Sequence, residues 1–341
     1  MHRICDTLVE HGYDVTLIGR SKKNSQPLSK FSFKTVRLSL LTERGFLFYL
    51  EYNVRLFFHL LVSNGDVFSA VDTDTILAFR LASGLKRKPL VFDAHELFTE
   101  LPELSNKPMK KRLWNLANKI GLKGKVSCYT VNNEIADILN QNYKKSFEVI
   151  HNFPIRDFIK RDSGIPSDPI QLVYVGMINQ GRGVEQLIEL VAQYNRFELH
   201  LIGNGDLYDE LKTTTVSNQR IHWYGFKQRE EIIQMLPKFD IGTNLLDGES
   251  LNYYYSSANK FFDYVNASLP VLTMDFPVYN RLNQSFNVAQ LIEDLDINTI
   301  KEGIDQLTSN YSHHSEECVK ASNNWNWQTE KEKLISIYQK T

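Results

Sequence analysis

The stretch "IQLVYVGMINQGRGVEQLIELVAQY" (Ile170–Tyr194) decides how the rest of the chain is read. Ile170 to Val175 is an apolar run of β-formers, which reads as a buried strand. Gly176, Gly181 and Gly183 mark a turn, and from Val184 the apolar residues recur at helical spacing. Strand, glycine turn and helix form half of a βαβ unit. The same rhythm continues through "FELHLIG", "LYDELKTTT", "IHWYG", "REEIIQMLPKF" and "DIGTNLL". Towards the N-terminus it recurs in "VFSAVD", "TILAFRLASGL", "PLVFDAHE", "VSCYTVNN" and "FEVIHNF". Short apolar strands alternating with helices imply an α/β protein built on doubly wound parallel sheets.

The chain has 341 residues, more than one core usually serves, so two domains are expected. "HNFPIRDFIKRDSGIPSDP" (His151–Pro169) breaks the rhythm and reads as the linker. The expected division is 1–160, 161–322 and a C-terminal helical segment 323–341, open to crossing back to the first domain, with Trp325 and Trp327 as a docked anchor. The formal net charge of -1 gives no global field that favours nucleic acid. Three cysteines without a CxxC spacing argue against a disulfide framework or a zinc site and suit a reducing compartment.

The N-terminus carries no signal-peptide pattern; it opens in a helix with Ile4, Leu8 and Val9 as its apolar stripe, followed by the strand "DVTLIG". No strand is read ahead of that helix. The first strand of a doubly wound sheet is then either missing or supplied by another segment, and "DVTLIG" is expected beside a vacant position or an exposed edge. A form extended upstream by a strand and turn is expected to be more stable and more active. "GFLFYLEYNVRLFFHLLV" (Gly45–Val62) holds Glu51, Arg55 and His59, which favours a buried or interfacial helix over a membrane span.

Ligands of open α/β sheets bind beyond the carboxyl ends of the strands. In "YVGMINQGRG", Gly176, Gly181 and Gly183 allow close backbone approach, and Arg182 sets a cation near a helix N-terminus, a combination suited to a diphosphate. A plain βα turn with a solvated Arg reads equally well. Gly203 and Gly205 read as ordinary turn glycines. "FDAHELFTE" ends a strand with Asp93, His95, Glu96 and Glu100; a single His among acids suits an acid–base or hydroxyl-binding role better than a metal. In "VDTD" (Val71–Asp74), Asp74 reads more simply as a helix N-cap than as a metal ligand. "KPMKKRLWNLANKIGLKGK" (Lys107–Lys125) is compatible with lying on an anionic membrane surface and with a solvated face carrying a packed Trp.

One further stretch raises its own question. In "YYYSSANKFFDYVNASLPVLT" (Tyr253–Thr273), Lys260 and Asp263 stand three apart at the start of a helix that otherwise reads as buried. Together with "LVYVGMINQGRG", "IHWYGFKQREEIIQML", "FDAHE" and "VIHNFP", it resembles the group 1 glycosyltransferases, the family 4 retaining enzymes of the GT-B fold. The resemblance spans most of the chain and implies two Rossmann-like domains with an active site in the cleft between them. It implies that Asp263 holds the donor ribose, and that Ser257, Ala258, Asn259 and Lys260 face the donor phosphates and sugar together with Gly176, Arg182 and Gly183. It places His95, with Glu96 beside it, near the acceptor and donor sugar. Three departures stand out: Tyr255 where the family has its first glutamate, Met177 where it has an arginine, and no opening strand.

The activity implied is transfer, with retention, of a sugar from a nucleotide-diphosphate sugar to a glycan or lipid-linked acceptor, with no obligatory metal and no cofactor beyond the donor itself. The rivals are a GT-B sugar-nucleotide 2-epimerase and a non-catalytic sugar-nucleotide-binding protein. The expected location is cytoplasmic, with peripheral attachment to the inner membrane face left open.

Overall fold

The computed structural model describes residues 1–22, 25, 30–156 and 166–341; the linker call over 157–165 lies outside them. The chain divides into two compact units, Met1–His151 with Glu330–Thr341, and Asn152–Thr329. The sequence boundary at 160/161 lies nine residues after the division at 151/152, and the C-terminal segment at 323 starts seven residues before the division at 329/330.

In the first unit, α1 (His2–Glu10) buries Ile4, Cys5, Thr7 and Leu8, so the packed stripe runs through Cys5, and Val9 stays half-buried. β1 (Thr16–Arg20) and β2 (Lys34–Leu38) pair in parallel as a sheet of their own. After α2 (Gly45–Val62) come β3 (Phe68–Val71), α3 (Ile76–Lys86), β4 (Leu90–Ala94), α4 (Pro108–Gly121), β5 (Ser127–Thr130), α5 (Asn133–Tyr143) and β6 (Phe147–Val149). These strands form a parallel sheet in the order β3-β4-β5-β6. Among the described residues no strand precedes α1, and β1 does not pair with β3, so the sheet is in two pieces. Asn132 caps α5 by accepting from the Ile135 amide at 2.8 Å. Asp74, by contrast, is not an N-cap: Thr75 holds that position of α3, and its hydroxyl donates back to Val71 O (2.7 Å).

In the second unit, β7 (Ile170–Val175), α6 (Val184–Gln193), β8 (Phe197–Ile202), α7 (Tyr208–Thr214), β9 (Ile221–Gly225), α8 (Arg229–Met235) and β10 (Ile241–Asn244) follow the expected alternation. They continue with α9 (Leu251–Tyr254), α10 (Asn259–Asn266), β11 (Val271–Met274), α11 (Pro277–Ser285), β12 (Ala289–Ile292), α12 (Ile297–Ser309), α13 (Tyr311–Asn324) and α14 (Trp327–Gln339). The sheet is parallel throughout, in the order β12-β11-β10-β7-β8-β9. The winding reverses between β7 and β10, and the carboxyl ends of those two strands flank the crevice where such sheets bind ligands.

Strand length and composition explain the burial. β7, β8, β10 and β11 are covered on both faces, so Leu172, Val173, Leu199, Leu201, Ile241, Val271 and Leu272 are fully enclosed. Each such side chain contributes about 1.5–3 kcal/mol. Gly242 in β10 lets the Tyr264 ring lie flat on the sheet; a Cβ there would overlap that ring. Trp325 stacks with Phe153 at 6.3 Å and meets Phe286 edge-on at 5.3 Å, the aromatic anchor expected near the C-terminus. From Glu330 onward α14 packs in the first unit, where Tyr338 shares a 2.8 Å hydrogen bond with Ser69.

Candidate functional site

The opening turn of α10 is held against the end of β7. Lys260 is only 7% exposed, and its ammonium lies 3.8 Å from the centre of the Tyr174 ring. It has no hydrogen-bond partner. Burial, and then the nearby charge of Arg182, hold its pKa well below the usual lysine value. Tyr174 itself is fully buried on β7; its hydroxyl donates to Met177 O at 2.6 Å and accepts from Arg182. The Arg182 guanidinium also lies 5.2 Å from the centre of the Tyr253 ring, and its Nε is buried without a partner. Arg182 and Lys260 therefore converge on one tyrosine from the two sides of the topological switch.

Around these cations other donors lack partners. Ser257 Oγ is buried and unbonded. α10 begins at an N-cap, Ala258, whose side chain cannot bond the first-turn amides, so the positive end of the helix is bare. The Ala258 amide donates to Tyr279 OH (3.1 Å), which fixes the turn. Asn259 is exposed at the helix start. Met177 is 52% exposed at the strand end, and Tyr255 packs its ring against Tyr254 at 4.9 Å.

Two of the glycines are also required by the chain's own packing. Gly181 and Gly183 adopt φ of 78° and 69°, and Cβ atoms there would overlap Asp247 and Leu245 of the loop after β10. Their freedom serves the close approach of that loop. Gly203 is no ordinary turn glycine either, since a side chain would overlap the Gly176 carbonyl.

Lys260 and Asp263 do not pair, and they face different neighbours. Asp263 is held by both arms of Arg229, at 2.7 and 3.2 Å, where α8 starts after β9. Lys260 turns inward to Tyr174.

In the first unit, the carboxyl ends of β3 and β4 gather buried acids around one histidine. His95 Nε2 lies 3.0 Å from Asp93 Oδ2, which also accepts from Tyr129 OH (2.8 Å). The His95 amide donates to Asp72 Oδ1 (2.9 Å), and the Met1 sulfur lies 3.4 Å from Nε2. Burial pushes the Asp72 pKa up to about 7 and that of Asp74 to about 6. For His95 burial acts downward, but the charge and hydrogen bond of Asp93 outweigh it, so its pKa is raised. Glu96 follows, half-buried, within the field of Asp72 and Asp74.

A glycosyltransferase family 4 model matches residues 1–153, and a model of the glycosyl transferases group 1 matches residues 155–243. The chain belongs to the group 1 glycosyltransferases. The fold agrees: sucrose-phosphate synthase from Thermosynechococcus elongatus is similar with a TM-score of 0.81 at 13% identity, over 99% of this chain and 91% of that one. WaaG, a glycosyltransferase involved in lipopolysaccharide biosynthesis, gives 0.75 at 14% identity over 98% and 94%. Anabaena HepE, solved in complex with UDP, gives 0.70 at 13% identity over 96% and 100%. No curated protein sequence matches this chain significantly. At these identities the structural likeness establishes the GT-B fold of two Rossmann-like domains.

The group 1 match ends at residue 243, ahead of Tyr253–Thr273. What Lys260 and Asp263 do in this glycosyltransferase is therefore argued from their surroundings. Three neighbours escaped the sequence reading. Tyr174 lies inside the strand run "IQLVYVG", Tyr253 in a run of three tyrosines, and Arg229 in the charged run "KQREE", and none of these patterns points to a site. The one usable signal was position: Arg229 follows the carboxyl end of β9 on the sheet that carries the site.

Among the described residues, Glu198, His200 and His222 come within 4.8 Å of one another and could in principle hold a metal. The geometry is instead that of a packed pair. The two imidazoles stack at 4.6 Å, and both nitrogens of His200 are engaged, with Gln171 (2.6 Å) and Tyr224 (3.0 Å). The cluster lies near the amino ends of β7, β8 and β9, away from the ends that bind ligands.

Proposed function

We propose that this glycosyltransferase moves a hexosyl unit, with retention and without an obligatory metal, from a nucleotide-diphosphate sugar to a glycan or lipid-linked acceptor. The observation that carries the reading is Lys260: a buried cation beside a second cation, with no hydrogen-bond partner for its ammonium among the described residues. An unpaired buried charge costs several kcal/mol, roughly, and a diphosphate seated there would recover it. Arg182, Ser257 Oγ and the bare amides of α10 complete an anion-binding set.

In this reading the bond between the sugar anomeric carbon and the diphosphate oxygen breaks, the acceptor hydroxyl oxygen bonds that carbon, and the hydroxyl proton leaves with the diphosphate. Charge grows on the diphosphate oxygen, and Lys260, Arg182 and the α10 dipole stabilise it in place, before any reorganisation of solvent is needed. Asp263 accepts from the ribose hydroxyls, with Arg229 orienting its carboxylate. The raised pKa of His95 keeps a donor available for a sugar hydroxyl, and Asp93 fixes the ring. A uridine nucleotide is the first donor to try, because HepE, of similar fold, was solved with UDP. Three buried free cysteines suit a cytoplasmic setting.

The test is calorimetric titration with UDP, GDP and ADP, followed by incubation with the matching sugar nucleotides and a search for free nucleotide and new glycoside. Binding of one diphosphate series with turnover is expected. Binding without transfer or hydrolysis would favour the non-catalytic reading, and no binding by any of them would remove the diphosphate site.

A further inference from the structure

A helix on the surface of a globular protein normally turns its apolar stripe inward and its charges outward. α4 does otherwise. Ala117, Asn118 and Gly121 face inward, while Met109, Leu113, Leu116 and Ile120 form a second apolar row on the opposite side, about half to two-thirds exposed. α2 repeats the arrangement: Phe48, Tyr52, Leu56 and Leu60 are buried, and Leu47, Leu50, Val54 and Phe58 line the outer side, with Phe58 61% exposed. α3 packs between the two and adds exposed Leu81 and Leu85. Trp114 of α4 meets Tyr49 of α2 edge-on at 4.8 Å, so the three helices are one layer. So many outward apolar side chains on adjacent helices exceed what a soluble face needs.

Along α4 and its flanks the charge has one sign. Lys107 to Lys125 carries seven cations and no acid, in a chain whose net charge is -1. Lys111 is paired with Glu100 at 2.7 Å. Among the described residues Lys110, Arg112, Lys119 and Lys123 are exposed and have no ion pair. On a helical wheel Arg112 and Lys119 follow one border of the apolar row and Lys110 the other, and Lys123 follows just beyond the helix end.

We propose that the outer face of α2, α3 and α4 docks on an anionic lipid surface, with the apolar rows entering the headgroup boundary and the cations on lipid phosphates. Charge decides between occupants. A second copy of the same face would set one cation row against another, whereas an anionic bilayer satisfies both rows at once. No helix among the described residues is long and apolar enough to cross a membrane, so the contact is peripheral. The inference stands apart from the donor reading, since none of these residues belongs to the candidate site.

The experiment is flotation of the full chain with vesicles of phosphatidylcholine alone, and of phosphatidylcholine and phosphatidylglycerol in equal parts. Two variants accompany it, L113Q/L116Q/I120Q and K110E/R112E/K119E. All of these side chains point outward, so both variants should keep the melting temperature and nucleotide binding of the parent. The parent should float with anionic vesicles and be released by salt, and each variant should bind about tenfold more weakly or worse. Equal binding to neutral and anionic vesicles, no flotation, or variants that float like the parent would overturn the proposal. So would a dimer in solution that L113Q/L116Q/I120Q turns into a monomer.

Discussion

Each unit of this chain places buried charge at the carboxyl ends of its strands, but the two differ in how that charge is met. In the first unit the acids Asp72 and Asp93 surround His95, and the counter-charge, the tyrosine hydroxyl and the amide donor all come from the same unit. In the second unit Lys260 and Arg182 approach each other over Tyr174, and the Lys260 ammonium has no hydrogen-bond partner among the described residues. The first arrangement holds a side chain in place whether or not a ligand is present. The second is costly when empty, and that cost becomes binding energy when an anion arrives.

The largest expected effect breaks the second arrangement. Lys260→Met keeps the length of the side chain and removes its charge. Nucleotide-diphosphate affinity should fall by about 4 kcal/mol, roughly a thousandfold, while the ligand-free protein melts at the same or a higher temperature. Affinity and stability moving in opposite directions is the signature; a loss of both would make Lys260 a structural residue. Asp93→Ala tests the other side of the comparison. It strips His95 and Tyr129 of a common partner and should cost about 3 kcal/mol of stability in denaturant titration, with nucleotide affinity unchanged. A fall in affinity would mean the two regions are not separable in this way.

The comparison can also be sharpened with pH. Asp72 has a folded pKa of about 7 against an ordinary 3.8, so the contribution of its protonated form is full below 3.8 and is lost as pH rises towards 7. His95 is shifted upward and acts in the same direction. His200, in the second unit, is pushed down to about 4 by burial and by His222, so its contribution is present above 6.5 and is lost as pH falls towards 4, by up to about 3 kcal/mol. Between pH 4 and 7 these groups therefore tilt the two units in opposite directions. Trp114 is the one tryptophan of the first unit, and Trp223, Trp325 and Trp327 report on the second. Fluorescence melts of W114F and the parent should separate the two slopes, and parallel slopes would count against these assignments. The smallest effect is that of Arg229→Ala. A half-exposed pair contributes under about 1 kcal/mol to stability, but the freed Asp263 should bind the nucleotide with altered affinity, and a 2′-deoxy nucleotide should lose that difference.

Much of the architecture was legible because periodicity is local. The strand–glycine–helix rhythm placed β7 to β11 and most of the first unit from residue spacing alone, and Arg182 and Lys260 were found as strand-end cations. What each cation meets was not legible. Tyr174 and Lys260 are 86 residues apart, and only the sheet order brings them together. Asp263 and Arg229 join across the same kind of distance, which is why a local Lys260–Asp263 relation looked natural in sequence. The glycines were half legible for a related reason: their open φ is visible in a motif, but the approach of the chain's own loop at Leu245–Asp247 is a tertiary fact. Asp74 shows the limit of propensity. Asp is a good N-cap, yet Thr75 holds the position because Asp72 takes φ 56° and turns the chain one residue later.

The most direct test of the central claim is proton uptake. Burial and the charge of Arg182 lower the Lys260 pKa, and a seated diphosphate raises it again, so binding favours the protonated ammonium and draws a proton from the buffer. Titration of UDP at about pH 8, where its phosphates are fully ionised, in buffers of different ionisation enthalpy should show net proton uptake in the parent that is absent from Lys260→Met. Tight binding with no proton uptake, or identical uptake in the variant, would contradict the account.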